Sequence, residues 1–380
     1  MNTHPVNLTA AAAGAEFDRR MMRAAIAFGR RNLGLTAPNP SVGALVVRDG
    51  LIVGRGVTAR GGRPHAETIA IEIAGAQARG ATLYVSLEPC SHFGRTPPCA
   101  DAIIKAGIAR VVSALDDPDT RVAGRGHRML LDAGIAVERM VCADEARLAN
   151  LGHILRVSAN RPMVTLKLAE TADGFAAGDR HDQRLHITGQ AANNLTQVWR
   201  WQADAIMAGI GTVLADDPLL TVRLPGLEDR KPLRVVLDSR LRMPLRSRLV
   251  QTAQDFPLVV ICGVDAPREA AVQLGQLGVE CVRVACGADG RIDLVAALAA
   301  LASRGVTRVF SEGGPRVASQ LIAGGLADET IVFTSHKPLG RGGIRSLDNS
   351  ARMLLDDHSR YLLAIDSRSG ADRLRIWRKV

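Results

Sequence analysis

Aromatic side chains are scarce in this sequence, 3% of 380 residues. That scarcity excludes a surface of stacking platforms for single-stranded nucleic acid. No apolar run approaches the ~18 residues of a membrane span. Met1 to Glu16 includes LTAAAAGA with no basic segment before it, so no secretory leader is expected. Basic residues are not blocked into an arm, which argues against nucleic acid as the partner. Cysteines number six, and no C-x-x-C occurs. Without a leader, those thiols are expected in a reducing, cytoplasmic setting as ligands, nucleophiles or core fillers. Cys142, Cys262, Cys281 and Cys286 have no His or Cys pattern nearby and read as core fillers. No repeat of fixed period is present.

What remains is a globular composition, 47% hydrophobic and 23% charged, with a formal net charge of +10. The length favours two domains, and the charge suits a phosphorylated small molecule. Helical periodicity begins at Glu16 and runs to Gly34, leaving residues 1–15 as a flexible tail. SVGALVVRDGLIVGRG reads as two strands joined by Asp49-Gly50, a hairpin signal. HAETIAIEIAGAQARG, CADAIIKAG and GHRMLLDAG read as helices, with ATLYVSL, IARVVSAL and IAVERM as strands between and after them. Alternation of this kind implies a largely parallel sheet covered on both faces. The first domain is placed at 16–160 and a second α/β domain at 161–380. Strands of the second are expected in PMVTLKLAE, ADAIMAGIG, PLRVVLDS, PLVVICG, VECVRV, VTRVFSEGG and ETIVFTSHK.

The first chemical constellation is PHAE followed by LEPCSHFGRTPPC. His65 and Glu67 open a helix, Cys90 ends a strand region and Cys99 opens the next helix. Strand ends and helix starts meet along one edge of such a sheet. One imidazole and two thiolates make the three-ligand count of a catalytic zinc, whose open position activates a water. Glu67, two residues beyond the histidine, is expected to carry the proton. H-x-E with P-C is the established signature of zinc nucleobase deaminases. Eight residues separate Cys90 from Cys99, far more than in a tight P-C-x-x-C.

Residues 35–126 resemble the deaminase domain of the bifunctional riboflavin-biosynthesis deaminase/reductase family. APNPSVGALVV, HAE, LEPCSHFGRTPPC and DDPDTRVAGRG carry the likeness. The resemblance implies a cytidine-deaminase-like α/β/α sandwich acting on a diaminopyrimidinone that bears ribose 5-phosphate. A ring amino group is hydrolysed to a carbonyl. Asn39, His92, Arg95 and Thr96 are then expected beside the substrate, with Arg95 suited to its phosphate. Asp119 stands where the family more often has asparagine.

The second domain lacks G-x-G-x-x-G after its first strand. It offers FSEGGPRVASQLIAGG, a strand, a glycine turn and a helix start, which suits a phosphate. VTLKLAETADGFAA, GTVLADDPLLTVR, VVLDS and SEGGPRVASQLI resemble the reductase domain of the same family. That likeness implies a dihydrofolate-reductase-like fold and reduction of the ribosyl chain to ribityl by NADPH. Lys167 and Glu312 are expected at the ribose chain, Arg200 and Arg223 at the substrate phosphate, and Leu220 in the same pocket. Ala169, Thr212, Asp216, Ser239 and the run Gly314, Pro315, Arg316, Val317, Ala318, Ser319 and Gln320 are expected at NADPH. RLHIT places Arg184 and His186 where the family often has serine and tryptophan, Arg184 toward substrate and His186 toward cofactor. A homodimer or homotetramer is implied as well.

Overall fold

The computed structural model describes residues 8–93, 97–119, 123–179 and 185–380. The chain divides into two compact units, Met1–Ala159 and Asn160–Val380. Among the described residues, no helix is long and apolar enough to cross a membrane.

The first unit contains α1 (Leu8–Gly29), β1 (Gly43–Arg48), β2 (Leu51–Val57), α2 (Ala66–Ala74) and β3 (Thr82–Val85). It continues with α3 (Cys99–Ala106), β4 (Arg110–Ser113), α4 (Arg125–Asp132), β5 (Ala136–Glu138) and α5 (Ala143–Ala159). The sheet order is β2-β1-β3-β4-β5. β3, β4 and β5 run parallel, while β1 is antiparallel to both its neighbours. The Asp49-Gly50 hairpin forms as its sequence predicts: both residues have positive φ, 50° and 77°, and Arg48 pairs with Leu51. Such φ values match the twist of the flanking strands. α1 starts at Leu8, upstream of Glu16, so residues 8–15 belong to a helix rather than to the tail expected there.

Two glycines show how close the layers lie. A Cβ on Gly43 would fall 1.9 Å from the carbonyl oxygen of Ala25 in α1. One on Gly56 would fall 1.9 Å from that of Ala66 in α2. Gly56 pairs with Ala44, the residue after Gly43, so the two helices cover opposite faces of the sheet. α2 answers the bare strand with Ala66, Ala70 and Ala74, all buried and four residues apart. α1 is tied to the sheet by Asp18, which accepts from Tyr84 Oη at 2.6 Å and from Arg110 Nη2 at 2.6 Å.

The second unit contains β6 (Met163–Glu170), β7 (Phe175–Ala177), α6 (Gln190–Trp201), β8 (Ala205–Gly209), α7 (Ile210–Asp216) and β9 (Leu233–Leu237). Next come α8 (Arg248–Gln251), β10 (Leu258–Gly263), α9 (Arg268–Gln276), β11 (Glu280–Val284), α10 (Leu294–Ser303) and β12 (Arg308–Ser311). The unit ends with α11 (Pro315–Ala323), β13 (Glu329–Thr334), β14 (Ile344–Arg345), α12 (Asn349–Asp356), β15 (Tyr361–Ser369) and β16 (Asp372–Lys379). Among the described residues its main sheet has nine strands, ordered β11-β10-β9-β8-β12-β6-β13-β16-β15. It is parallel from β11 to β13, and β16 and β15 add an antiparallel hairpin. Leu166 and Leu168 of β6 pack with residues of α10, α11 and α12. Phe310 and Phe333 instead meet Trp199 of α6. Helices therefore cover both faces.

Two features of this unit differ from the sequence reading. The expected strand ADAIMAGIG stops at Gly209, which caps α7. The hairpin β15–β16 was not anticipated. β15 forms an edge whose residues between Tyr361 and Ser369 are all exposed, so it lacks the alternation of apolar and polar residues that marks a half-buried strand. Of the four cysteines read as core fillers, Cys262 is buried, Cys142 and Cys281 are half-buried, and Cys286 is exposed.

Gly56→Ala should lower the unfolding free energy by about 2 kcal/mol, because a methyl group must displace helix backbone. It should also lower bound metal, since α2 carries His65 at its start. Denaturant unfolding and metal analysis of the purified variant check both effects.

Candidate active sites

His65 is the residue immediately before α2, with extended backbone (φ −72°, ψ 159°). Cys90 lies in the segment after β3, and Cys99 is the first residue of α3, after Pro98. The structure brings all three together: one ligand atom from each lies within 4.8 Å of the others. Nδ1 of His65 is 3.3 Å from Sγ of Cys99 and 3.6 Å from Sγ of Cys90. The backbone N–H of Cys99 donates to Sγ of Cys90 at 3.3 Å. Hydrogen bonding from Cys99, despite burial, holds the Cys90 thiol down at about 4. The Cys99 thiol is pushed up, first because Cys90 takes its proton in a hydrogen bond. The bond to Cys90 raises the His65 imidazole. Two sulfurs and an imidazole nitrogen packed this closely are a donor set for a soft, tetrahedral cation such as zinc. Glu67 is 3% exposed, and burial pushes its carboxyl up to about 7.

Glu88, within LEPC, has no role predicted from sequence. Its carboxylate is 5% exposed. It accepts from the N–H groups of Asp117 at 3.0 Å, Gly124 at 2.9 Å and Gly126 at 2.9 Å. Glu88 thus ties the segment carrying Cys90 to the segment leading into α4. Gly126 has no room for a side chain, since a Cβ would sit 1.9 Å from the carbonyl oxygen of Pro89. Glu88, Asp116 and His127 also gather three donor atoms. Glu88 is committed to amides, however, and Asp116 to Arg139.

Asn39 is half-buried and donates Nδ2 to the Gly62 carbonyl at 3.1 Å, beside the approach to His65. His92 is exposed and lies close enough to influence Asp117. Arg95 and Thr96 lie outside the described residues, as does Arg184.

In the second unit, Glu312 follows β12 and is paired with Arg200 of α6. Nε and Nη2 of Arg200 meet the two carboxylate oxygens at 2.5 and 2.8 Å. Nη1 donates to the Thr221 carbonyl at 2.8 Å. Arg200 is 7% exposed and spends its guanidinium on these partners, an outcome the assignment to phosphate did not foresee. Burial alone would raise the Glu312 carboxyl, but Arg200, with Lys167 and Arg223 in electrostatic range, holds it below the usual carboxylate range. Lys167 and Ala169 are half-buried on one face of β6. Leu220 is buried, with φ +50°. Arg223 is exposed, and its N–H donates to Gln197 at 2.8 Å.

Gly314 caps α11 without a side-chain hydrogen bond, and Pro315 opens the helix. A Cβ on Gly314 would lie 3.4 Å from Oγ1 of Thr212, so the starts of α7 and α11 adjoin. Of the run from Gly314 to Gln320, Ala318 and Ser319 are buried, and Ser319 Oγ accepts from the Asp348 N–H at 3.1 Å. Helical periodicity turns those two inward, leaving Arg316 exposed and Gly314, Pro315, Val317 and Gln320 half-buried. Ser239, just beyond β9, and Asp216, at the end of α7, are half-buried. His186 is exposed.

Two family models match the chain. The "RibD C-terminal domain" covers residues 162–358, and the "Cytidine and deoxycytidylate deaminase zinc-binding region" covers residues 15–115. The riboflavin biosynthesis protein RibD of Aquifex aeolicus is 39% identical, over 89% of this chain and 94% of the relative. That of Escherichia coli is 39% identical, over 85% and 89%. The structure of Acinetobacter baumannii RibD superposes with a TM-score of 0.84 at 33% identity, covering 96% of this chain and 99% of that one. The Thermotoga maritima diaminohydroxyphosphoribosylaminopyrimidine deaminase/5-amino-6-(5-phosphoribosylamino)uracil reductase gives 0.81 at 32% identity, covering 97% and 100%.

Glu88→Ala should lower the unfolding free energy by about 3 kcal/mol, because buried N–H groups lose a charged acceptor. Glu88→Gln, which keeps one carbonyl oxygen, should cost less. Denaturant titration of both variants reads the difference, and equal costs would argue against the amide-binding role.

Proposed function

We propose residue roles for a chain that belongs to the RibD family of riboflavin-biosynthesis proteins. It is a bifunctional enzyme, a zinc-dependent deaminase of cytidine-deaminase-like fold joined to an NADPH-dependent reductase. Its proposed substrate is the diaminopyrimidinone bearing ribose 5-phosphate, deaminated first and then reduced in its ribosyl chain.

The observation that carries the first half is the gathering of His65, Cys90 and Cys99 within 4.8 Å. These residues would hold zinc, which supplies a water acidic enough to attack the ring at neutral pH. Glu67, beside Cys99 and screened from solvent, takes the proton of that water. It then hands the proton to the departing amino nitrogen, so ammonia leaves and a carbonyl remains. Asn39, His92, Arg95 and Thr96 hold the ring and its ribose phosphate.

In the second half NADPH, when bound, would supply a hydride; the open-chain imine would accept it at C1′ while its nitrogen takes a proton from solvent. Glu312 is proposed to bind the chain hydroxyls with Lys167. The bidentate Arg200 pair fixes the carboxylate's orientation, which makes Arg200 a positioning residue. Arg223 and Arg184 take the substrate phosphate, and Leu220 walls the pocket. The start of α11 at Gly314, with Thr212, offers unpaired N–H groups to the cofactor's phosphates. Ala169, His186, Asp216, Ser239 and residues 315–320 complete the NADPH contacts. A cytoplasmic homodimer or homotetramer without nucleic acid fits six free cysteines and the scarcity of aromatics.

Glu67→Gln should reduce ammonia release by about 10²–10⁴-fold. Zinc content and NADPH oxidation on the deaminated substrate should stay near wild type. A chelator should abolish deamination and spare reduction. Full deaminase activity in Glu67→Gln would defeat this reading.

A further inference from the structure

Lys167 and Ala169 occupy one face of β6. Glu170, the last residue of the strand, points to the other, where a cavity of about 320 Å³ opens. Thr334 of β13 and Arg375 of β16 line it with Arg345 and Arg352. No residue assigned above to zinc, pyrimidine or NADPH is in its lining.

The charge in this cavity is unbalanced. Glu170 is 3% exposed and accepts from Arg352 at 2.5 Å, Ser346 at 2.5 Å, Thr334 at 3.1 Å and Arg375 at 3.5 Å. One carboxylate thus serves two guanidiniums. The other acid in the lining, Asp173, is taken by the Thr171 hydroxyl at 2.6 Å and the N–H groups of Leu339 and Gly340 at 2.8 and 3.0 Å. Nε of Arg375 is buried without a hydrogen-bond partner. Arg345 lies over the Phe175 ring, 5.1 Å from its centroid, and has no carboxylate partner among the described residues. Burial holds the Arg375 guanidinium below its ordinary value, as expected of a cation lacking full compensation.

We propose that this cavity binds a phosphate group, held by Arg345, Arg352 and Arg375. Guanidinium N–H pairs match phosphate oxygens in geometry as well as charge. An anion here would supply the missing acceptor for Nε of Arg375, and the exposed Arg345 at the cavity rim would add a second guanidinium to it. The volume, at the lower end for small-molecule sites, suits inorganic phosphate or the phosphoryl end of a small ester.

The test is calorimetric titration of the full chain at constant ionic strength, with NADPH saturating. Inorganic phosphate is the probe in one arm and glycerol 3-phosphate in the other. Wild-type protein should bind phosphate, Arg345→Ala should weaken binding by about tenfold or more, and Arg345→Lys should restore part of it. Arg223→Ala, which alters the proposed substrate-phosphate site, should leave this component intact. Tighter binding of the ester would identify a metabolite as the ligand, and equal binding a free phosphate; either supports the site when Arg345→Ala removes it. Wild-type affinity in Arg345→Ala, or no binding of either probe by the wild-type protein at tens of millimolar, would overturn the proposal.

Discussion

Both units depend on one constraint of parallel sheets: strand C-termini and helix N-termini are delivered to the same edge. In the first unit that edge receives His65 before α2, Cys90 after β3 and Cys99 at the start of α3. In the second it receives Glu312 after β12, Gly314 at the cap of α11 and Thr212 in α7. Neither site is a loop insertion on an indifferent scaffold. Helix starts bring unpaired N–H groups, which favour a thiolate in one case and a phosphate in the other. The close approach of α2 to β2, possible because Gly56 has no side chain, sets where His65 ends up.

The gathering of His65, Cys90 and Cys99 was legible because each sits at a boundary the sequence marks by itself. Pro64 precedes His65, Pro89 precedes Cys90, and Pro98 precedes Cys99. The eight-residue spacing between the cysteines does not keep them apart, since the segment after β3 and the start of α3 adjoin. Glu88 was not legible in the same way. Its partners are backbone amides of residues 117–126, and amides carry no side-chain signature in sequence.

In the second unit the sequence singles out Arg200 and Glu312 but not their pairing. Arg200 and Glu312 are 112 positions apart, one on a helix and the other after a strand, so nothing local announces their ion pair. A buried arginine with a carboxylate partner is a positioning device, whereas a phosphate-binding arginine must keep donors available. Sequence reveals the residue type and leaves that choice open. The β15–β16 hairpin was missed for a related reason. Its edge strand is exposed on both faces, and the period-2 pattern depends on one face being buried.

The three glutamates at these strand ends show how one side chain can be held in three electrostatic settings. Glu88 is held by N–H dipoles and has no arginine or lysine partner among the described residues. Glu312 is matched one to one by Arg200, and Lys167 and Arg223 add to the field that holds its carboxyl low. Glu170 is outnumbered by Arg352 and Arg375 before Arg345 is considered. The net charge of +10 is therefore more than a diffuse solubility charge. Part of it is concentrated at Glu170, where one buried carboxylate serves two guanidiniums. A buried guanidinium N–H without an acceptor, as at Nε of Arg375, carries a desolvation cost. An anionic ligand supplies the compensation, and phosphate is the anion whose geometry a set of arginines fits best.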